Sequence, residues 1–310
     1  MTCLAPAHDA PKAPASLAGM LRLVLPKGSL ERATLELFEA ADLRVSRSSE
    51  VDYRASVRDH RISEVRILRP QEIPHYVARG LFDIGITGRD WVEETGAQVV
   101  SLGELAYSKA TSQPIRIVLA VAEDAPWQSV KELPEGVRVS TEYPRLTEHF
   151  LRSNGVKAEV LLSYGATEAK VPEIADAVVE LTETGRALRA AGLRALDTVL
   201  VSYTELIANV DSYANAEKRR AMEDLNTLLQ GVLEARGRAL VKLNVGAEDL
   251  AKVLSLLPAM RSPTVSQLAG GGSYAVETVV EKGSVNRLIP ELKVAGASDI
   301  IELPISKIVP

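Results

Sequence analysis

Only one cysteine, Cys3, occurs in the 310-residue chain, so neither an intrachain disulfide nor a cysteine metal cluster can form. The four histidines are scattered, and none stands at a metal-ligand or triad-like spacing. Excess positive charge is missing too. The formal net charge of −5 argues against a general binder of nucleic acid or anionic membrane, while leaving room for a local basic pocket. No apolar run is long enough to span a bilayer. The opening MTCLAPAHDAPKAPASLAG lacks a basic start followed by an apolar stretch, so residues 1–20 read as a disordered tail and not as a signal peptide. Together these absences predict a cytoplasmic globular protein. At 46% hydrophobic and 25% charged, the chain can bury a sizeable core in two or three domains.

What is present is a repeated alternation of strand-length apolar runs with helical periodicity, the pattern of an α/β fold with a mainly parallel sheet. LRLVLP at 21–26 leads into a helix with apolar positions Leu30, Ala33, Thr34, Leu37, Phe38 and Ala41 and with Ser29 as its expected N-cap. EVRILRP and FDIGITGRD end in strand-to-helix corners, and the alternation resumes from Pro114 through LDTVLVSYTELIAN to a long helix near 216–236. No internal repeat is evident after residue 20. The last eighty or so residues change rhythm and read βαββαβ, the ferredoxin-like plan of a small module.

In parallel sheets, ligands collect beyond the carboxyl ends of strands. Several polar corners of that kind occur: PKGS after the first strand, RPQE at 69–72, TGRD at 87–90, STEYP at 140–144 and TETGR at 182–186. The last lies in DAVVELTETGRALRAAGL and has two readings. It is either an ordinary strand-turn-helix corner punctuated by Gly185, or a nest of N–H groups and hydroxyls for a phosphate monoester. Asp176 and Glu180, four apart, would share a strand face and could accept from ribose hydroxyls; a strand-start cap and a solvated edge are the plainer alternatives. A Walker loop is absent, and Asp90 reads as a helix N-cap.

Five blocks, LPKGSLE, ILRPQEIPHYVARGLFDIGITGRD, STEYPRLTEHFL, ADAVVELTETGRALRAAGL and MRSPTVSQL, occur in the order found in the ATP phosphoribosyltransferase family, the first enzyme of histidine biosynthesis. The chain resembles that family over nearly its whole length after the tail, and its ferredoxin-like end resembles the long form, which needs no separate regulatory subunit. The resemblance implies two periplasmic-binding-protein-like catalytic domains with the active site between them and a C-terminal ACT-like domain. On that pattern domain I comprises 21–114 and 196–232, domain II is 115–195, and the regulatory domain is 233–310.

The resemblance further implies that adenine N1 of ATP attacks C1′ of phosphoribosyl pyrophosphate, with pyrophosphate leaving as its Mg2+ complex and no resident metal site. Because N1 already carries a lone pair, no dedicated nucleophile is needed, and the protein mainly positions substrates and stabilises charge. Phosphoribosyl pyrophosphate would be held by Asp176, Glu180, Thr182, Glu183, Thr184, Gly185, Arg186, Ala187 and Leu188. ATP would be held by Lys27, Gly28, Ser29, Leu30, Arg69, Asp83, Gly85, Thr87, Gly88 and Tyr143, with Asp176, Glu180, Lys27 and Arg69 as the catalytic set. The plainer roles are a surface charge for Lys27, an ion-pair partner for Arg69 and a hinge for Tyr143. Two positions depart from the family pattern: Glu180 stands where Asp is usual and Ala187 where Thr is usual. Feedback inhibition by histidine is implied at Asn244, Met260, Ser262, Thr264 and Asp299, in a homo-oligomer exchanging between dimer and hexamer. A solute-binding or effector-sensing protein with the same cleft is the competing class, but a signal peptide or a helix-turn-helix would be expected for it. A nucleobase phosphoribosyltransferase of the common type would carry adjacent acids before its phosphate loop, and these are not there.

Overall fold

A computed structural model describes residues 19–49, 51–107, 115–258 and 262–310. The expected tail lies outside these residues except for its last two positions. The chain forms two compact units, one of Met1–Glu36 and Leu43–Asn226, the other of Leu37–Asp42 and Thr227–Pro310.

In chain order the elements of the core are β1 (Leu21–Pro26), α1 (Glu31–Ala40), β2 (Val45–Ser46), β3 (Arg54–Val57), β4 (Ile62–Leu68), α2 (Ile73–Ala78), β5 (Ile84–Gly88), α3 (Arg89–Thr95) and β6 (Val100–Glu104). There follow β7 (Ile115–Ala122), β8 (Val137–Thr141), α4 (Pro144–Ser153), β9 (Ala158–Leu162), β10 (Ala177–Thr182), α5 (Arg186–Ala190), β11 (Leu193–Ser202), β12 (Thr204–Ala208), α6 (Val210–Ala214) and α7 (Ala216–Ala235). One sheet has the order β2-β3-β4-β1-β5-β12-β6 and the other β11-β7-β10-β8-β9. These sheets make two lobes, each with a central strand whose middle is apolar and buried on both faces, Leu23 to Leu25 of β1 in the first and Ile117 to Val121 of β7 in the second.

The lobes repeat one another. In the first, β4, β1 and β5 run parallel and β12 is antiparallel between β5 and β6; in the second, β9, β8 and β10 run parallel and β7 is antiparallel between β10 and β11. Each antiparallel strand is the first one after the chain crosses from the opposite lobe. This is the expected periplasmic-binding-protein-like topology, and it makes the core an internal repeat that no fixed period in the sequence reveals. It extends to side chains. Arg22, second in β1, holds Asp83 just before β5 through its backbone N–H (2.8 Å), Nε (3.1 Å) and Nη2 (3.2 Å). Arg138, second in β8, holds Asp176 just before β10 in the same way at 2.9, 3.1 and 2.7 Å.

Two local expectations are corrected. Helix α1 begins at Glu31 with Leu30 and not Ser29 ahead of it, and Glu31 Oε2 accepts from the Gly28 N–H at 3.4 Å. Helix α3 has Gly88 as N-cap, so Asp90 lies inside its first turn.

The second unit contains β13 (Arg238–Gly246), α8 (Leu250–Leu256), β14 (Thr264–Gln267), β15 (Ser273–Glu281), α9 (Lys282–Val294) and β16 (Ala297–Pro304), the βαββαβ order read from the sequence. Its sheet order, β14-β15-β13-β16, is ferredoxin-like and antiparallel. Val241, Leu243, Val245, Val276 and Val280 pack on Val253, Val285, Leu288 and Leu292 of the two helices. No helix among the described residues is long and apolar enough to cross a membrane.

Candidate active site

Three strands of the first lobe end at one edge. After β1, the Lys27 N–H donates to Leu68 O at 2.7 Å, joining the PKGS corner to the end of β4. Gly28 has φ +94, a region that L side chains avoid, and an added Cβ would lie 3.7 Å from Arg69 Nη1. The Arg69 guanidinium therefore lies against that backbone. Lys27 Nζ stands 4.0 Å from the centroid of the Tyr53 ring, a cation–π contact that holds its charge near the corner. At the end of β5, the Thr87 hydroxyl donates to Pro70 O at 2.9 Å, tying this third corner to the second.

In the second lobe, Gly185 adopts φ +69 between β10 and α5. Its N–H donates to Thr182 Oγ1 at 2.9 Å, the Arg186 N–H to Thr184 Oγ1 at 3.4 Å, and Arg189 Nη2 to Thr184 O at 3.0 Å. The loop is thus shaped by its own hydroxyls, while the first-turn N–H groups of α5 lack intrahelical acceptors as in any helix. With α5 only five residues long, local N–H groups outweigh any macrodipole as a source of anion affinity.

A cavity of about 270 Å³ joins the two edges. Ser29, Leu30, Pro70, Gly88, Asp90 and Trp91 line it from the first lobe, Leu181 and Glu183 from the second, and Ser202, Tyr203 and Thr204 where the chain crosses back. Beside it the lobes are latched. The Tyr143 hydroxyl donates to Asp90 Oδ2 at 3.0 Å, the Ser202 hydroxyl donates to Asp90 Oδ1 at 2.6 Å, and the Trp91 and Tyr143 rings are tilted against each other at 4.6 Å. Burial pushes the Asp90 carboxyl above the usual carboxylate range, with the hydroxyls of Ser202 and Tyr143 opposing the shift. Further along α3, Glu94 accepts from the backbone N–H groups of Arg145 (3.1 Å) and Leu146 (2.8 Å), capping the start of α4 from the other lobe.

Lys27, Gly28, Ser29, Leu30, Arg69 and Gly88 therefore gather at one edge, and Glu180, Thr182, Glu183, Thr184, Gly185, Arg186 and Ala187 at or near the other. Six expected ligands do not face the cleft as read. Asp83 precedes β5, about 16 Å of strand from Gly88, and is fully buried among Arg22, Ser212 and Lys218. Burial pushes its carboxyl up, but hydrogen bonds from Arg22, Lys218 and Ser212 outweigh this and hold it at about 2. Asp176 likewise precedes β10, about 20 Å of strand from the loop, with Arg138 lowering its pKa. Both are clamps at the far ends of their strands. Gly85 is a packing residue: an added Cβ would meet Val24 Cγ1 at 2.8 Å and Ile73 Cγ2 at 2.9 Å. The Thr87 hydroxyl is committed to Pro70, the Leu188 side chain is in the core beside Val118 and Val178, and Tyr143 is a latch between lobes instead of a surface for a base.

Glu180 keeps its expected place near the end of β10. Burial pushes its carboxyl up, the Leu181 N–H and Thr167 hydroxyl oppose this, and Glu142 and Glu168 nearby push it higher. Its surroundings come from SYGATEAK at 163–170, a polar corner after β9 of the same form as the others and not among the corners named from the sequence. Among the described residues no group of three His, Cys, Asp or Glu side chains is placed to hold a metal ion.

In the second unit, Asn244 Nδ2 donates to Asp299 Oδ2 at 2.9 Å, beside a bulge where Asp299 has φ +47. Ser262 and Thr264 line a separate depression with Glu277 and the terminal residues Ile308, Val309 and Pro310. Strand β14 is three positions from β16 in the sheet, roughly 14 Å across. A single copy therefore does not bring the four expected histidine contacts to one point, and Met260 lies outside the described residues.

Comparison with known proteins accords with this architecture. The family model described as HisG, ATP phosphoribosyltransferase, matches residues 69–231, and that described as HisG, C-terminal domain, matches 235–307. A protein named ATP phosphoribosyltransferase from Pelotomaculum thermopropionicum is 48% identical over 290 residues, covering 94% of this chain and 99% of the relative. One of the same name from Thermodesulfovibrio yellowstonii is 44% identical over 291 residues, again 94% and 99%. Among solved structures, a chain from the ATP phosphoribosyl transferase (HisG:HisZ) complex of Thermotoga maritima is 28% identical with a TM-score of 0.59, and 69% of this chain covers 99% of that one. With both core and C-terminal domain matched by relatives of equal length, the chain belongs to the ATP phosphoribosyltransferase family in its long form, the transferases of the first step of histidine biosynthesis.

Proposed function

We propose that the cleft condenses ATP with 5-phosphoribosyl 1-pyrophosphate to give N1-(5-phosphoribosyl)-ATP and pyrophosphate. The observation that carries this reading is a cavity lined by Ser29, Leu30 and Gly88 from one lobe and by Glu183 from the other. On it, Lys27 and Arg69 offset polyphosphate charge at the first edge. The 182–188 loop receives the 5-phosphate through N–H groups, a role that the Ala187 departure leaves intact because the backbone is unchanged. Glu180 accepts from the ribose. As N1 closes on C1′, its lone pair forms the new bond while the C1′–O bond to pyrophosphate breaks. The protein supplies alignment and charge neutralisation. Mg2+ travels on the pyrophosphate oxygens, as suits a cation that keeps several waters and few protein ligands.

The same reading assigns the second unit to histidine as end-product inhibitor in the cytoplasm. Asn244 and Asp299 of one copy and Ser262 and Thr264 near another would complete the site in a dimer–hexamer assembly without a separate regulatory subunit. Purified protein mixed with ATP, phosphoribosyl pyrophosphate and Mg2+ should form phosphoribosyl-ATP, detected by mass; no product from folded protein would refute the catalytic assignment. Calorimetry of the full-length protein with histidine should show binding with inhibition noncompetitive towards both substrates. Absence of heat from active enzyme would remove the regulatory assignment alone.

A further inference from the structure

The strand segment IRIVLAVAED has the apolar run of a core strand, and Arg116 is its only charge ahead of the acidic end. That charge sits where β7 meets the cleft. The cavity is lined by Ile115, immediately before it, and by Leu181 and Glu183, which flank its cross-strand partner Thr182. The register between β7 and β10 is unbroken from Arg116 opposite Thr182 to Val121 opposite Ala177, so alternation fixes which face each side chain takes. Ile117, Leu119 and Val121 pack with Ala177 and Val179 in one core, and Val118 and Ala120 pack with Val178 and Leu188 in the other. Arg116 extends the second row, with Thr182 directly opposite and Glu180 on the diagonal. Thr182 is the residue whose Oγ1 accepts the Gly185 N–H at 2.9 Å, and Leu188 ties α5 to this same face. The 182–188 loop thus turns over the strand end that carries Arg116.

We propose that Arg116 is a binding residue for the 5-phosphate of phosphoribosyl pyrophosphate, completing the 182–188 loop with a guanidinium from the adjacent strand. Its role rests on the proposed siting of that phosphate. The loop supplies N–H groups and hydroxyls, whereas a phosphate monoester carries close to two negative charges and calls for a cation. The loop's own Arg186 and Arg189 are exposed, and Arg189 is tied to Thr184 O. Arg116 is half-buried, and no hydrogen bond or ion pair holds its guanidinium among the described residues. An arginine kept for structure in this fold has an acid to hold, as Arg22 has Asp83 and Arg138 has Asp176. A planar fork with its donors unspent suits bidentate capture of phosphate oxygens.

The test is steady-state kinetics on full-length variants, with ribose 5-phosphate and inorganic pyrophosphate as inhibitors that probe the two ends of the substrate separately, and melting temperature as a control. Arg116→Met should raise KM for phosphoribosyl pyrophosphate roughly thirtyfold and weaken inhibition by ribose 5-phosphate to the same extent, since charge-assisted hydrogen bonds are lost. KM for ATP and inhibition by pyrophosphate should stay within about twofold of the wild type. Arg116→Lys keeps the charge without the fork and should weaken ribose 5-phosphate inhibition only about fivefold, again sparing pyrophosphate; it decides the matter if Arg116→Met unfolds. Equal weakening of both inhibitors, weakening of pyrophosphate alone, or wild-type kinetics would overturn the assignment. Gly185→Val separates the two levels. If it leaves ribose 5-phosphate inhibition intact, the loop is not the phosphate site and the underlying reading fails; if it abolishes that inhibition while Arg116→Met matches the wild type, only the role of Arg116 is wrong.

Discussion

The two lobes share a plan at one end of their strands and diverge at the other. At the base each has an arginine second in its first parallel strand, clamped to the aspartate ahead of its third, Arg22 with Asp83 and Arg138 with Asp176. At the mouth the first lobe presents Lys27 and Arg69, while the second presents Glu180, hydroxyls and a left-handed glycine loop. A scaffold repeated twice thus keeps the contacts that hold strands in place and varies only the corners that meet ligands, the division expected when function lives on loops over a rigid frame. Even the clamps differ in degree. Asp83 is sealed from solvent with a second cation, Lys218, whereas the Asp176 side chain is 32% exposed with Arg138 alone.

The largest effect should come from breaking the sealed clamp. Asp83→Ala leaves Arg22 and Lys218 without their carboxylate and should cost about 3 kcal/mol in urea unfolding, with little change in KM for either substrate. The same group sets an acid limit. Its pKa is depressed in the folded state, so its contribution, about 2 kcal/mol, is complete above the unfolded value near 4 and is lost as pH falls towards about 2. Wild-type stability should fall across that window, and the Asp83→Ala protein should lose part of the slope.

Next is the mouth of the second lobe. Gly185→Val forces a β-branched residue to φ +69 and drives its Cβ to within 2.8 Å of Arg189 Nη1. A displaced loop should lower kcat/KM for phosphoribosyl pyrophosphate about a hundredfold; equal damage to ATP affinity would show that the mouths are not divided by substrate. At the first mouth, Lys27→Met should raise KM for ATP roughly tenfold by removing one charge-assisted contact, and unchanged ATP kinetics would place the polyphosphate elsewhere. Smallest is Asp176→Ala, at the exposed clamp. A slight fall in melting temperature with unaltered substrate kinetics would confirm that the two aspartates are twins in position and unequal in consequence.

The pattern of local elements was legible because periodicity is local. LRLVLP coincides with β1, and the βαββαβ order of the last unit needs no long-range information. Which end of a strand an acid occupies was also readable in principle. Asp176 and Asp83 each stand just before the first apolar residue of a strand, so neither could reach a site at the carboxyl end. The family likeness hid this, since a block that matches a family does not say which of its residues touch ligand. The repeat was harder to see, because Arg22 and Asp83 are 61 residues apart against 38 for Arg138 and Asp176, and unequal insertions blur any fixed period. LDTVLVSYTELIAN is nearly continuous in its apolar positions yet divides at Tyr203 into β11 and β12, which belong to different sheets. Burial of Tyr143 against Asp90 arises only when two lobes meet, and no run of neighbouring residues encodes it.

The cap on α4 has a consequence for observing the cleft at work. Because Glu94 on one lobe holds the Arg145 and Leu146 amides of the other, those two protons can exchange with solvent by parting the lobes even while the rest of α4 stays wound. Their hydrogen-exchange rates are therefore a built-in gauge of hinge opening, readable without a label and separable from the deeper amides of β7 and β10, which report unfolding of the lobe itself.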